Sequence, residues 1–191
     1  GWELSAEDGG ATEITLCSEL VLRPPLPKDP DDPRLAEPVG GRRVLNPTGH
    51  EAAGLRAVLG FGTEGSGLVL ACAMDHAVED PERLSARLEC REDFACAQFR
   101  GEVAPGRPIR LWKALAYHYD GGGVAPEEVR ARAARTLDRA MERGLNDLVE
   151  RQRMHVARFW ERADVEIEDA DPRRQQVIRW NLFQLLQASE R

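Results

Sequence analysis

The sequence predicts an antiparallel β-sandwich, incomplete on its own, followed by helices, and three observations point there. About six short apolar or alternating runs lie before residue 120, with turn-rich joints and no helical period among them. Gly121–Gly123 then interrupts the chain with three glycines in a row, which hold neither a strand nor a helix. Beyond them the apolar spacing changes to three and four residues, the period of amphipathic helices.

In order along the chain, Thr12–Leu20 (TEITLCSEL) sets Ile14, Leu16 and Ser18 against Thr15, Cys17 and Glu19, which suits a strand of a packed sheet. Arg23–Pro47 holds Pro24, Pro25, Pro27, Pro30, Pro33, Pro38 and Pro47. Proline removes a ladder donor and fixes φ, so a long loop is expected, kept wet by Asp29, Asp31 and Asp32. Strands resume at Arg56–Thr63 and Gly67–Val78, and the short polar TEGSG link between them predicts an antiparallel hairpin. Leu84–Glu92 and Phe94–Val103 come next, followed by the turn APGRP and a last strand, Ile109–Tyr119.

Past the glycines, Pro126 with Glu127 and Glu128 suits a first helical turn, Val129, Ala133, Leu137 and Met141 form one apolar stripe, and Gly144 offers a left-handed stop. A second helix is expected over Asn146–Arg162, from the recurrence of Leu148, Val149, Gln152, Val156, Phe159 and Trp160. A third starts with Asp171 as N-cap and Pro172 at its first position and runs to Gln187. Its apolar residues, Val177, Ile178, Trp180, Leu182, Phe183, Leu185 and Leu186, cover more of its circumference than two neighbouring helices can bury.

At 42% apolar and 31% charged residues the chain is ordinary for a globular protein. Its net charge of −7 is uneven: residues 1–120 carry 13 basic and 20 acidic groups, whereas residues 121–191 carry 13 of each. An acidic surface repels phosphate backbones and anionic lipid, so neither nucleic acid nor a membrane is an expected partner. No long apolar span and no basic-then-apolar leader is visible, and the expected location is cytoplasmic. Cys17, Cys72, Cys90 and Cys96 lack a CxxC pair and read as buried free thiols, and His50, His76, His118 and His155 lack metal-ligand spacing.

Candidate chemistry reduces to bland alternatives. Asp164, Glu166, Glu168, Asp169 and Asp171 are dense enough to suggest a carboxylate pair, but they sit between two helices and read as a solvated linker ending in a cap. His76 beside Asp75 cannot form a proton-transfer pair, because neighbours on a strand face opposite sides. Tyr117, His118 and Tyr119 could stack a sugar ring or pack a strand end. The glycines of Leu59–Gly67 lack the Lys-Ser or Lys-Thr of a phosphate loop. No catalytic, cofactor-binding or metal-ligating residue is assigned.

The stretch Leu148–Gln187 resembles the junction before the barrel of glycoside hydrolase family 65, the disaccharide phosphorylases and related hydrolases of maltose, trehalose and kojibiose. His155, Phe159 or Trp160, Asp164, Val165 and Ile167 fall where that family has "HxxxWxxxW…dI.i", and Gln176–Gln187 is similar to its "Q..lRfnlFqLlq". Glu168–Asp171 departs from the family's compact Gly-Asp turn, and Trp180 from its Phe or Tyr. Upstream, Ile109–Tyr119, with Leu111 and Lys113, resembles the closing sandwich strand, and Cys17–Leu20 a "sSEL" strand.

The resemblance implies the end of an N-terminal β-sandwich over residues 1–120, a helical linker over 121–170, and the first helix of an (α/α)6 barrel over 171–191. It also implies inverting attack by phosphate or water on an α-glucoside, with the general-acid Glu and the phosphate-binding residues in the barrel after Arg191. Inorganic phosphate would be a co-substrate of a phosphorylase and no other cofactor is expected; the parent's partner would be a disaccharide, and a homodimeric parent is compatible with the family. The other reading is a stand-alone carbohydrate-binding or interaction module using Trp2, Trp112, Tyr117 and Tyr119.

Overall fold

The computed structural model describes residues 1–7, 9–22, 44–168 and 171–189. Their contacts divide into two compact units, Gly1–Glu142 and Arg143–Arg191.

The first unit holds two antiparallel sheets, as the alternating runs predict. One has the order β1-β8-β5-β4-β3, built from β1 (Trp2–Leu4), β3 (Asn46–Ala53), β4 (Arg56–Gly62), β5 (Val69–Val78) and β8 (Ile109–Asp120). The other has the order β2-β7-β6, from β2 (Thr12–Val21), β6 (Leu84–Arg91) and β7 (Phe94–Val103). The TEGSG hairpin pairs β4 with β5 in a register running from Ala57 opposite Met74 to Gly62 opposite Val69. Between the sheets lie Leu59, Phe61, Cys72, Met74 and Leu111 from the larger and Leu20, Ala95, Ala97 and Phe99 from the smaller.

Two strands lie outside the sequence expectations. β1 is three residues long, too short to show a period. β3 begins inside the stretch assigned to a loop, which is corrected at its end: Pro47 is a strand residue, tolerated because β3 is an edge strand and because the register slips at Pro47–Gly49. The rest of the proline-rich stretch, residues 23–43 with Asp29, Asp31 and Asp32, lies outside the described residues.

α1 (Pro126–Ala163) consists of two helical segments that meet at Gly144, whose φ of 76° and ψ of 162° break the helical path where a stop was expected. Val129, Ala133 and Leu137 pack on Val58, Ala71, Ala73 and Ala116, on the face of the larger sheet turned away from the smaller one. The three alanines on that face let the helix come close. β4 and β5 are thus covered on both faces, which is why they read as nearly continuous apolar runs rather than as alternation.

Polar ties reinforce the docking. Arg56 donates to Asp75 at 2.8 Å and to Asp138 of α1 at 2.5 Å. Arg130, only 8% exposed, donates to the Glu51 carboxylate at 2.9 Å and to the Thr48 carbonyl at 3.2 Å. It lies across two glycines: a Cβ on Gly60 would stand 3.0 Å from Arg130 Cδ, and one on Gly49 would stand 2.9 Å from its Nη1.

In the second unit, α2 (Pro172–Ser189) starts as expected, with Asp171 Oδ1 accepting from the Arg173 amide at 2.9 Å. Val177, Trp180 and Leu185 are exposed. Phe183 is half-buried and Leu186 buried, so the bare face of α2 is narrower than its composition suggests.

Candidate functional site

The linker acids are the strongest sequence candidates for chemistry, and the structure ties Asp164, Glu166 and Asp171 into the scaffold. Asp164 is held in a two-pronged pair by Arg179, with Nε at 2.8 Å and Nη2 at 2.6 Å. That guanidinium, above all through its hydrogen bond, holds the Asp164 carboxyl below its ordinary value, the opposite of what a general acid needs. Glu166 reaches the same Arg179 at 3.8 Å, and Asp171 is spent as the cap of α2. Glu168 is exposed, and Asp169 lies outside the described residues.

Gln175 completes this junction, and sequence reasoning gave it no role. Its Nε2 donates to the Val165 carbonyl at 2.6 Å while its Oε1 accepts from the Ile167 amide at 3.1 Å. One primary amide thereby satisfies both backbone groups of an extended stretch, as a neighbouring strand would. The signal was present in the family stretch, where an amide and an arginine stand four apart on one helix face.

His76 belongs to the sandwich interior. It is 6% exposed, its Nε2 lies 2.7 Å from Ser18 Oγ on the facing sheet, and its ring stands edge-on to Phe99 at 5.3 Å. Burial lowers its pKa. Asp75 points to the other side, where it binds Arg56, so the two residues are not a proton-transfer pair.

The aromatic candidates separate by strand parity. His118 faces α1, with Nε2 2.8 Å from Thr136 Oγ1, while Tyr117 and Tyr119 are 56% and 69% exposed on the opposite side of β8. Trp112 shares the parity of His118, and Trp2 sits opposite Leu111, six residues along β8 from Tyr117. The four aromatics proposed as one platform therefore reduce to the tyrosine pair.

The cysteines are free, and only Cys72 is fully buried; Cys17 is exposed and Cys90 and Cys96 are intermediate, which corrects the uniform expectation of buried thiols. Burial pushes the Cys72 thiol up to about 11. Among the described residues no group of three or more His, Cys, Asp and Glu could hold a metal ion, and no helix is long and apolar enough to cross a membrane. An open groove lined by Glu13, Thr15, Arg83, Ser85, Arg100 and Glu102 runs over the outer face of the smaller sheet. It brings together none of the predicted candidates.

Two unclosed antiparallel sheets, a helix laid on the larger one and a latched helical junction define the fold class, an antiparallel β-sandwich followed by helices. The model of the glycosyl hydrolase family 65 N-terminal domain matches residues 2–159, and the chain belongs to that family. An uncharacterized glycosyl hydrolase of Mycobacterium tuberculosis (strain H37Rv) is 36% identical over 178 residues, 93% of this chain and 22% of that protein. One of Mycobacterium leprae is 35% identical over the same length. Among solved structures, a putative kojibiose phosphorylase from human microbiome superposes with a TM-score of 0.75 at 18% identity, over 93% of this chain and 21% of that one. The chain spans about a fifth of the length of the curated relatives it matches (22%).

Proposed function

We propose that this chain is the non-catalytic N-terminal portion of an inverting, cytoplasmic enzyme that cleaves an α-glucosidic disaccharide such as trehalose, maltose or kojibiose. Phosphate or water is the acceptor; with phosphate the reaction is a glycosyl transfer. The observation that carries the reading is the family match over residues 2–159 in a chain spanning 22% of its relatives' length. In support, the described acids of the junction are exposed, tied to Arg179 or used as a cap, and none of them is placed as a buried general acid would be. In this reading the general acid lies in the remainder of the parent, and α2 is the opening helix of its barrel.

The test compares phosphate-dependent and phosphate-independent glucose release from the three disaccharides by this chain and by a form extended to the length of the relatives. Activity in the extended form alone is expected, and the phosphate dependence then names the acceptor. Turnover by this chain alone would overturn the reading.

Exposure of Tyr117 and Tyr119 favours a second reading, a sugar-binding surface on the sandwich. It requires that calorimetric binding of a gluco-oligosaccharide be measurable and be lost in the Tyr117→Ala and Tyr119→Ala variants.

A further inference from the structure

We propose that His76 is an acid-sensitive tie between the two sheets of the first unit, and that the cost of placing a proton on this buried ring loosens the sandwich.

The argument starts from the hydrogen-bond inventory of the ring. A neutral imidazole offers one donor and one acceptor, whereas an imidazolium offers two donors. Nε2 has its partner across the core, Ser18 Oγ at 2.7 Å, and Ser18 is itself 4% exposed. Nδ1 is buried and makes no hydrogen bond among the described residues; the nearby Leu55 backbone favours protonation only in part. A second proton would make both ring nitrogens donors, and Nδ1 would then have only that backbone group to give to.

The surrounding charges do not relieve it. From β8, Lys113 stands directly opposite His76 in the ladder and repels a second cation, while its own Nζ already donates to the Glu19 carbonyl of β2 at 2.6 Å. Glu19 lends its backbone, not its carboxylate, to this contact. From β5, Asp75 attracts the proton, but its carboxylate is engaged by Arg56. From β7 the neighbour is Phe99, which does not titrate. Burial outweighs the carboxylate, so the ring takes up its proton at lower pH than a free histidine.

The sign follows by linkage. A base whose folded pKa lies below its unfolded value of 6.5 binds its proton more readily in the unfolded chain, so stability is intact above that value and is lost as the pH falls. For one such proton the unfolding equilibrium constant rises by up to about tenfold per pH unit.

The experiment follows urea unfolding of the chain at intervals from about pH 7.5 to 5, for the wild type and for His76→Gln, which keeps an amide for Ser18 but does not titrate. NMR of the wild-type imidazole runs in parallel, with its signals assigned by their absence from the variant. The expected result is a rise in the unfolding constant of the wild type below about pH 6.5 that is steeper than in His76→Gln by up to about tenfold per unit, and an imidazole that protonates below 6.5. Equal slopes in the two proteins, or an imidazole titrating at or above 6.5, would overturn the proposal. If His76→Gln does not fold, assignment by through-bond correlation lets the wild-type titration decide alone.

Discussion

Gly60 and Arg130 form a saddle whose energetics a double-mutant cycle can read. Gly60 is enclosed: an added Cβ would stand 2.8 Å from Thr48 Oγ1 and 3.0 and 3.1 Å from Arg130 Cδ and Cγ. The guanidinium beyond those carbons is fixed by Glu51 and by the Thr48 carbonyl, so the stem cannot swing aside without giving up charge-assisted bonds. Gly60→Ala should therefore cost what overpacking costs, about 1–3 kcal/mol. Arg130→Ala removes the two hydrogen bonds and the buried stem but strands little, since the Glu51 side chain is 61% exposed, and about 2 kcal/mol is expected. With the arginine truncated, Thr48 has room to turn and the new methyl fits. Alanine also restricts the unfolded chain relative to glycine by roughly 0.4–1 kcal/mol, equally in the single and the double variant, so that effect cancels in the cycle. The double variant should thus be more stable than the sum of the singles by at least about 1 kcal/mol, or a few degrees in Tm for a unit of this size. Urea unfolding followed by circular dichroism measures all four proteins. Additivity to within about 0.4 kcal/mol would refute the saddle.

Three further outcomes are expected. Leu137→Ala should destabilise the first unit by about 2–4 kcal/mol in the same assay, because Leu137 is 1% exposed and lies in the helix–sheet core. Asp164, held below its ordinary value of 3.8 by the hydrogen bond from Arg179, contributes stability above that value and loses it as pH falls through the lower folded pKa. The acid limb of a stability profile below about pH 4 should therefore flatten in Asp164→Asn. A disulfide reagent at pH 8 should label Cys17 at once and Cys72 only as fast as the protein opens, since Cys72 is 1% exposed with its thiol pushed up to about 11.

What the sequence made legible was what depends on period and punctuation. β2 and β4–β8 fell within two residues of their expected limits, the TEGSG hairpin and the stop at Gly144 were in place, and Asp171 capped α2. β3 was not legible: Pro47 and Gly49 argue against a strand, and they are admitted only because the strand is an edge with a register slip, a fact of topology. Nor was the partner of the Val129–Ala133–Leu137 stripe. Three glycines mark a break in conformation, not in packing, and nothing in the sequence says that Val58, Ala71, Ala73 and Ala116 wait on the far side of the glycines to receive it. Arg130 was invisible for a related reason. It neighbours an apolar stripe on a helix rich in arginine, and only the cleared space over Gly49 and Gly60 distinguishes it from those in solvent.

The junction residues show why a family resemblance can be strong where no chemistry resides. Asp164 and Arg179 satisfy each other and Gln175 satisfies the backbone of Val165 and Ile167, so their constraint is geometric: they hold Val165–Ile167 extended along the start of α2. Val165 and Ile167 are themselves 50% and 43% exposed, so burial does little of that holding. Gln175 is the residue to test, because Gln175→Glu keeps an acceptor for the Ile167 amide yet turns a donor facing the Val165 carbonyl into a second acceptor, whereas Gln175→Ala removes both. Hydrogen exchange at the Ile167 amide should accelerate in Gln175→Ala, and less in Gln175→Glu, with the amides of the first unit unchanged in both. If the Ile167 amide exchanges equally fast in the wild type and in Gln175→Ala, the side-chain amide is not what holds the segment, and the resemblance at this position needs another cause.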